Sequence, residues 1–408
     1  MFVDGKLLTA GERTRLHFEP FGVRTYLPER CEPGFTLFSP AYGYTEYLVD
    51  MRGLVVHTWP VTHSDVAELL PNGNLLTHND GHWLEELAPD GSVVWRWEGE
   101  EWLETNTHHD FYNVDGDEIV FLARQREPVR PGVFPEGFEP DFMATDLVLR
   151  INRKGELLWR FSLGEHIEEL SALAGLPLPI PYARQTDSGE IVPRGPADWA
   201  HTNTVECLPA TPLGERDSRF KAGNVLLSFR SLDIIAIVDP DKDAFVWAYG
   251  LGILDGQHQP TMLPDGHILV FDNGTWRGHS IVRELAPDTG ERVWEYANGE
   301  SFFSPFRSGN QRLANGNTLI CECDAGHLFE VTRDKEVVWD FWSPFVGQGR
   351  HHLGKRIHRA TRYGPEAVAG LLAARRDTVV AEVDWQGRRI ESYAELIRLY
   401  QSRPPEPA

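Results

Sequence analysis

The sequence predicts an all-β protein with the fold class of a six-bladed β-propeller, and two recurring patterns carry that prediction. A strand of the Val-Val-Trp type recurs six times, at 53–57, 91–95, 155–159, 243–247, 290–294 and 335–339. A strand that ends at a turn of the Asn-Gly-Asn type recurs at 70–74, 114–117, 223–224, 263–267 and 313–317. Four strands in each unit of about 45 to 50 residues are typical of propeller blades.

The elements follow in chain order. Residues 1–34 carry several prolines and are expected to form an N-terminal arm across the main body. Strands are predicted at 34–39, 45–50 and 54–59, followed by a meander through 63–76 and 83–97 with short Gly, Asn and Asp turns. Two insertions interrupt the later repeats. One is the Pro- and Gly-rich segment 128–141, and the other is 165–197, which begins with a short predicted helix.

The first blade lacks an inner strand of its own, because the chain opens with outer strands. Residues 356–364 are expected to supply that strand by pairing with 35–59, which would close the ring and remove exposed sheet edges. The propeller is therefore predicted to span 35–364. Residues 365–408 are expected to form a helical C-terminal extension, at 365–376 and 392–401, with a disordered tail.

The composition argues against several classes of partner. The formal net charge is −22, from 39 basic and 61 acidic residues, which disfavours nucleic acid and anionic membrane surfaces. The start of the chain has no apolar core of signal-peptide length, and no run of 18 apolar residues occurs, so a cytoplasmic location is expected. The four cysteines include one C-x-C pair without a second pair at zinc spacing, which indicates buried thiols.

The stretch 256–274 places chemistry on this framework. His258 stands before the turn Leu263-Pro-Asp-Gly266, and a buried strand then leads to a second turn, Asp272-Asn-Gly274. Aligning the blades on the first turn gives most of them a polar residue near the place of His258. These residues are His63, Asp65, His108, Asp110, His201, Asn203, Arg307, Ser308 and His358, the last with Arg356, Arg359 and Arg362 beside it.

Arg230 belongs to the same set, because it ends an apolar strand expected to lie beside His201 and Asn203. Imidazoles and guanidinium groups gathered at one channel mouth can bind an anion through charge-assisted hydrogen bonds. The alternative interpretation is that these polar residues only satisfy backbone groups in a water-filled channel.

Several motifs resemble the aryl sulfotransferase family, the PAPS-independent bacterial arylsulfate sulfotransferases, over about 44–345. They are Thr107-His-His-Asp110, Asp198-Trp-Ala-His-Thr-Asn203, Leu227-Ser-Phe-Arg230, Gly256-Gln-His258 with its turn, and Phe271-Asp-Asn-Gly274. The resemblance implies a six-bladed fold with a catalytic site at the channel mouth. It makes His258 the histidine that is transiently sulfated, places His201, Asn203 and Arg230 on the sulfuryl group, and leaves the pair His108 and His109 as the remaining site histidines.

The function expected from these observations is ping-pong transfer of a sulfuryl group from an aryl sulfate to a phenolic acceptor. The partner would be a small aromatic or anionic substrate, without nucleotide or metal cofactor. His63, His358, Arg307 and Arg359 are expected to contact that substrate. Two alternatives stay open: a divalent metal on the histidines with Asp65 or Asp110, for lyase, oxygenase or hydrolase chemistry, and a non-catalytic propeller that binds an anionic ligand.

Overall fold

The fold is taken from a computed structural model. It describes residues 2–3, 6–7, 20–41, 43–62, 64–79, 81–135, 142–180, 183–185, 191–193, 198–345, 347–348, 353–373, 382–383 and 389–390. Nearly all regular structure in these ranges is β, and six antiparallel sheets have the four-stranded meander of a propeller blade. The predicted fold class, an all-β six-bladed β-propeller, is confirmed.

The chain divides into two compact units. The first contains residues Met1–Asn79, Glu85–Arg96 and Gln311–Ala408 and holds most or all of three sheets. Blade 1 has the strands Ile357–Tyr363, Phe35–Pro40, Thr45–Asp50 and Val55–Pro60. Blade 2 has Ala67–Leu69, Leu75–Asn79, Trp83–Leu87 and Val93–Trp97. Blade 6 has Gly309–Arg312, Thr318–Glu322, His327–Val331 and Val337–Trp342.

Both ends of the described chain contribute strands to the first unit. Ile357–Tyr363 pairs with Phe35–Pro40 in the register Tyr363 opposite Phe35, at the place the sequence indicates for 356–364. Gly22–Tyr26 is a fifth strand on the outer edge of blade 6, with Tyr26 opposite Trp339. This part of the predicted N-terminal arm is therefore an edge strand of a sheet.

The core of the first unit shows what the Val-Val-Trp strand of blade 6 contributes. Along Val337–Trp342, Val338 and Trp339 are buried, and the Trp339 indole donates to the Met51 carbonyl oxygen at 2.9 Å. The Arg362 guanidinium lies 4.5 Å above the same ring and 3.3 Å from the Glu330 carboxylate, which is itself fully buried. One tryptophan thus fixes an outer strand, and a buried ion pair covers it.

The second unit contains residues Asp80–Leu84 and Trp97–Asn310 and holds the other three sheets. Blade 3 has Phe111–Val114, Glu118–Glu127, Met143–Asn152 and Leu157–Ser162. Blade 4 has Thr202–Cys207, Val225–Phe229, Ile234–Asp239 and Ala244–Tyr249. Blade 5 has His258–Met262, Ile268–Asp272, Ile281–Ala286 and Glu291–Ala297. The middle strands of these sheets are almost entirely buried, as expected for strands packed on both faces.

The predicted turns have the predicted geometry. In blade 5 the Gly266 amide donates to the Leu263 carbonyl at 2.9 Å, and Gly266 has φ 91°. Gly73 and Gly316 close equivalent turns, with φ 86° and 88°. A side chain is strained at such angles, which explains why glycine recurs at this place in the repeats.

Few helices interrupt the sheets. Among the described residues, the α-helices are Ile167–Ala174, Pro212–Arg216 and Pro365–Ala373, and the 3₁₀ turns are Leu163–His166, Ser218–Phe220, Arg230–Leu232 and Gly299–Ser301. Four short strand pairs complete the described structure: Phe2–Val3 with Lys6–Leu7, Ala183–Gln185 with Ile191–Pro193, Gly347–Gln348 with Leu353–Gly354, and Glu382–Val383 with Arg389–Ile390. The predicted helix at 392–401 and the C-terminal tail lie outside the described residues.

Within the described ranges, no helix combines the length and the apolar character that crossing a bilayer requires. The four cysteines are all buried thiols. Burial raises the pKa of Cys31 and of Cys207 to about 11, so these two thiols stay protonated at neutral pH.

Candidate functional site

The predicted site residues of the second unit lie where the inner strands of its blades begin. His258 is the first residue of its strand, His201 immediately precedes Thr202–Cys207, and His109 lies two residues before Phe111–Val114. His109 and His201 both have positive φ, 59° and 52°. A left-handed backbone is uncommon outside glycine, and such strain is found preferentially at functional sites.

His258 is held in one orientation by acceptors on a single ring nitrogen. Its Nδ1 lies 2.8 Å from Asn273 Oδ1 and 3.1 Å from the Gly256 carbonyl oxygen. Both partners accept hydrogen bonds, so Nδ1 carries the proton in the neutral ring and Nε2 carries the lone pair. The identity of the Asn273 oxygen is fixed in turn, because its Nδ2 donates to the carbonyl oxygens of Ser304 at 2.8 Å and Arg307 at 2.9 Å.

The turn that carries Asn273 is tightly braced. Gly274 has φ 66°, and a Cβ atom there would lie 1.8 Å from the His279 carbonyl oxygen. The Asp272 carboxylate accepts the Asp255 amide at 2.9 Å and Arg283 Nε at 2.8 Å. The predicted Asp-Asn-Gly turn therefore positions the group that orients His258.

The residue before His258 is anchored in blade 4. Gln257 is fully buried, and its Nε2 donates to the Ile234 carbonyl at 2.9 Å and to Ser228 Oγ at 3.1 Å. Asn203 Nδ2 donates to the Gln257 carbonyl at 2.9 Å, and its Oδ1 accepts from Thr204 Oγ1 at 3.1 Å. These contacts fix the backbone that leads to His258, and the contact of Asn203 with a sulfuryl group, which the resemblance implies, stays a prediction.

Three histidines form a hydrogen-bonded chain, which we call the histidine chain: His108, His109 and His201. His108 Nδ1 lies 3.0 Å from His109 Nδ1, and His109 Nε2 lies 3.1 Å from His201 Nε2. At one end His108 Nε2 lies 3.1 Å from the Ala123 carbonyl oxygen. At the other end His201 Nδ1 contacts the Asp198 carboxylate. His108 and His201 are 93 positions apart in the sequence, yet they belong to one continuous run of contacts. The adjacent residues His108 and His109 supply two of its three rings.

Charged residues bracket the histidine chain. Arg124 donates to Asp146 at 3.0 Å and to Asp198 at 2.7 Å, so one guanidinium joins two carboxylates. Burial acts to raise the pKa of Asp198, but the hydrogen bond from His201 and the charge of Arg124 outweigh it and hold that pKa below its usual range. Burial lowers the pKa of His108 to about 4, against the opposing attraction of Asp146.

Arg230 presents a half-buried cation beside the histidine chain. It follows the strand Val225–Phe229, and its backbone amide donates to the His201 carbonyl at 3.1 Å. Its guanidinium lies 4.8 Å over the Phe306 ring, and its Nε is buried without a hydrogen-bond partner in the described part of the chain. Burial lowers its pKa, yet a guanidinium remains charged in proteins. A half-buried cation with one unsatisfied nitrogen is a binding element for an anion.

Asp110 was considered as a metal ligand in the alternative interpretation. Its carboxylate accepts the amide of Val205 and the amide of Phe111, each at 3.1 Å. These bonds tie the inner strand of blade 4 to the start of blade 3. The carboxylate therefore has a structural task at this place.

The other predicted residues are distributed as follows. The Arg307 carbonyl oxygen accepts a hydrogen bond from Asn273 Nδ2, and Arg307 has φ 55°. In the first unit, His358 is buried with Nδ1 3.1 Å from Asp65 Oδ1, and Arg359 lines a small pocket with Ser39, Glu46 and Asp65. Burial raises the pKa of Glu46 to about 7. His63 lies outside the described residues, and the grouping of all the histidines at one mouth stays a prediction.

A group with metal-ligand spacing occurs elsewhere among the described residues: Asp265, His267 and Glu284. His267 Nδ1 lies 3.0 Å from Glu284 Oε1. The same place in blade 2 has Asn74 Nδ2 at 2.6 Å from Glu86 Oε1, and in blade 6 Asn317 Nδ2 lies 2.7 Å from Glu330 Oε1. His267 therefore replaces a turn asparagine in a repeated hydrogen bond, which explains the group without an ion.

Sequence reasoning left out three residues that complete the site: Arg124, Asp146 and Asn273. Arg124 and Asp146 interrupt the apolar strands Glu118–Glu127 and Met143–Asn152. This is the same signal that singled out Arg230, since a charged residue in such a strand requires a partner. Asn273 was noted only as part of a turn, and its side chain gives no sign in the sequence that it faces His258.

Comparison with known proteins places the chain among relatives. The sequence model described as arylsulfotransferase (ASST) matches residues 66–344. The chain belongs to the arylsulfotransferase family. No curated protein matches the sequence.

Solved structures with low sequence identity are also similar to the chain. A protein of unknown function from Bacteroides caccae is 13% identical, with TM-score 0.49, over 81% of this chain and 98% of that chain. A functionally unknown protein from Desulfotomaculum acetoxidans DSM 771 is 11% identical, with TM-score 0.44, over 81% and 99%. A streptogramin B lyase is 10% identical, with TM-score 0.44, over 85% and 94%. These values are too low to indicate shared chemistry.

Proposed function

We propose that the protein is an arylsulfate sulfotransferase that moves a sulfuryl group from an aryl sulfate to a phenolic acceptor through a sulfo-histidine at His258. The observation that carries the proposal is the 2.8 Å contact between His258 Nδ1 and Asn273 Oδ1. It directs the ring lone pair to Nε2, the nitrogen that would attack. Membership of the arylsulfotransferase family supports the same class of reaction.

In the first half-reaction, His258 Nε2 forms a bond to sulfur while the bond from sulfur to the aryl oxygen breaks. The ring becomes positively charged in this step. Its Nδ1 proton points at the oxygens of Asn273 and Gly256, which stabilise that charge. In the second half-reaction, the acceptor oxygen attacks sulfur and His258 is restored.

Arg230 would meet the negative charge on the sulfuryl oxygens. Its guanidinium is stacked on Phe306 and backed by the bond from its own amide to the His201 carbonyl. A donor fixed before the reaction needs no reorganisation as charge shifts, which is the main source of electrostatic catalysis. Arg307 repels Arg230 electrostatically, and a bound anion would relieve that repulsion.

The histidine chain would exchange protons with the two phenols. The resemblance leaves His108 and His109 as the remaining site histidines. Burial lowers the pKa of His108 to about 4, so His108 is neutral at neutral pH and does not supply an acidic proton. We therefore assign proton exchange to the partly buried rings of His109 and His201.

The proposed reaction requires neither nucleotide nor metal, because side chains supply the nucleophile, the cation and the proton. The substrates would be small aromatic sulfates and phenols. Contacts from His63, His358, Arg307 and Arg359 to these substrates, and the cytoplasmic location, remain predictions.

A rapid-mixing experiment with p-nitrophenyl sulfate tests the proposal. Without acceptor, p-nitrophenol should appear in a burst equal to the enzyme concentration, because the covalent step is separated from turnover. Adding a phenol should then start steady release. The proposal is wrong if a broad panel of aryl sulfates gives neither burst nor turnover.

A further inference from the structure

The histidine chain can be counted proton by proton. Among the described residues, four hydrogen-bond contacts follow one another along it: Ala123 O with His108, His108 with His109, His109 with His201, and His201 with Asp198. The carbonyl oxygen and the carboxylate can only accept, so the terminal nitrogens must both carry protons. Each internal nitrogen pair also needs one proton between its members. Four contacts therefore require four protons.

Three neutral imidazoles carry only three protons. A neutral chain would leave opposed lone pairs at one of the four contacts, either between two ring nitrogens or between His108 Nε2 and the Ala123 carbonyl oxygen, since that contact would lack a proton. The fully bonded chain has one proton more than the neutral rings and hence a net charge of +1. The carboxylate at its end has the opposite charge.

We infer that His108, His109 and His201 together hold one excess proton, that Asp198 retains it there, and that this shared proton passes to the leaving phenolate and returns from the acceptor. The last part rests on the proposed sulfuryl transfer. The first two parts rest on the contacts alone.

The charges around the chain place the excess proton at its Asp198 end. His108 is 3% exposed, and its Nε2 lies 3.5 Å from the Asp146 carboxylate. That carboxylate already accepts a hydrogen bond from Arg124 at 3.0 Å. One oxygen of the Asp198 carboxylate accepts a hydrogen bond from Arg124, and the other oxygen contacts His201 Nδ1. Arg230 adds a positive charge on the side of Asp198, which opposes the accumulation of any second proton. His201 is thus the natural imidazolium, with His109 next to it.

The contact between His109 Nε2 and His201 Nε2 is the place where the proton can leave, because both rings are partly exposed whereas His108 is buried. When the bond from sulfur to the aryl oxygen breaks, that oxygen takes this proton and leaves as a phenol. The chain is then neutral, with two lone pairs opposed. It regains the proton from the acceptor phenol as the acceptor oxygen bonds to sulfur and His258 leaves.

Asp198 acts through His201 and is a positioning residue. The Asp198→Asn variant should lose the excess proton, since an amide does not carry the balancing charge. In ¹⁵N-histidine-labelled protein at pH 7, the wild type should show a ring with both nitrogens protonated that disappears in Asp198→Asn. His327 is an internal control, because its nitrogens lie 2.9 Å from Glu322 and 2.7 Å from Asp340, so its doubly protonated signal should persist.

The burst rate with two donors tests what the proton does. Phenolate is a poor leaving group without a proton, whereas p-nitrophenolate leaves readily. Asp198→Asn should therefore slow the burst on the order of 10²-fold with phenyl sulfate, and less than about 10-fold with p-nitrophenyl sulfate. Asp198→Glu keeps the charge and should restore part of the rate. Asp241→Asn changes a side chain that is 84% exposed, and it should leave the burst rate with either donor unchanged.

Three outcomes separate the possibilities. The inference is overturned if Asp198→Asn slows the burst equally with both donors. It is also overturned if the doubly protonated ring signal of the histidine chain survives in that variant. If Asp198→Asn does not fold, His201→Gln must remove the doubly protonated chain signal, and its persistence overturns the inference as well. Absence of any burst from the wild type with both donors contradicts the proposed sulfuryl transfer, while the proton count is still decided by the labelled histidines.

Discussion

Asn273 Oδ1 lies 2.8 Å from His258 Nδ1, and this contact decides which nitrogen of the ring can react. The amide cannot turn over without facing its donor group toward His258 and its oxygen toward two carbonyl groups. Asn273 is thus a fixed acceptor, which makes Nε2 the basic nitrogen of the neutral His258 ring.

We expect Asn273→Ala to slow the burst of phenol on the order of 10²-fold, because the nucleophile loses its orientation while remaining in place. The burst amplitude should still equal the enzyme concentration. Asn152→Ala, which removes a half-buried turn asparagine of blade 3, serves as the control and should leave the burst unchanged. A burst of wild-type rate in Asn273→Ala would show that this contact does not position His258.

Gly274→Ala should both destabilise the protein and impair the burst. The added Cβ would meet the His279 carbonyl oxygen at 1.8 Å, at a backbone angle that already disfavours a side chain. We expect a loss of at least about 3 kcal/mol in the free energy of unfolding, measured by urea denaturation. Gly278→Ala is a matched control, since Gly278 has φ 83° with no atom within 4 Å of the added carbon. Equal losses in both variants would argue against a steric role for Gly274.

Arg230→Ala should slow adduct formation by about 10² to 10³, the range observed when one preorganised donor is removed from an oxyanion site. Arg230→Lys should recover only part of the rate, because an ammonium group cannot reproduce the planar guanidinium stacked on Phe306. Arg216→Ala, an arginine whose side chain is 61% exposed, is the control. Full activity of Arg230→Ala would exclude this residue from the anion site.

Two buried groups, His108 and Glu46, should change the free energy of unfolding with pH in opposite directions. The pKa of His108 falls from 6.5 to about 4 on folding, so the unfolded chain binds the extra proton and stability falls as pH drops through this window. The pKa of Glu46 rises from 4.5 to about 7, so the folded chain binds the extra proton and stability rises as pH drops from about 7.

The two variants His108→Gln and Glu46→Gln should separate these contributions, because each removes one titrating group. Each removal changes the pH dependence of the free energy of unfolding by at most about 1.4 kcal/mol per pH unit. Urea denaturation from pH 7.0 to pH 5.0 provides the comparison at roughly one-unit steps. Relative to the wild type, His108→Gln should gain stability at the lower pH and Glu46→Gln should lose it. A shift of the same sign in both variants would refute the assignment.

Much of the fold follows from the sequence because blades repeat. Trp339 and Gly266 stand for two such constraints, a tryptophan that fixes an outer strand and a glycine that the turn angle requires. Both leave a signal at regular spacing. His258, His201 and Arg230 could be found in the same way, since the repeats place them at strand ends.

The histidine chain could not be read from spacing. The contact between His109 and His201 depends on left-handed backbone angles at both residues, which residue type does not reveal. Arg124 joins partners 22 and 74 residues away, a tertiary arrangement without sequence periodicity. The amide of Asn203 donates to a backbone carbonyl, and a motif match alone does not distinguish that role from contact with a bound anion.

The intact mass of the protein after incubation with an aryl sulfate, without acceptor, tests the sulfo-histidine most directly. We predict an acid-labile, base-stable increase of about 80 Da, one sulfuryl group, on the wild type and none on His258→Ala. Adding a phenol should remove the increase as the aryl sulfate of that phenol forms. A wild-type protein that turns over aryl sulfates without this increase, or an adduct that persists in His258→Ala, would contradict the assignment of His258 as the nucleophile.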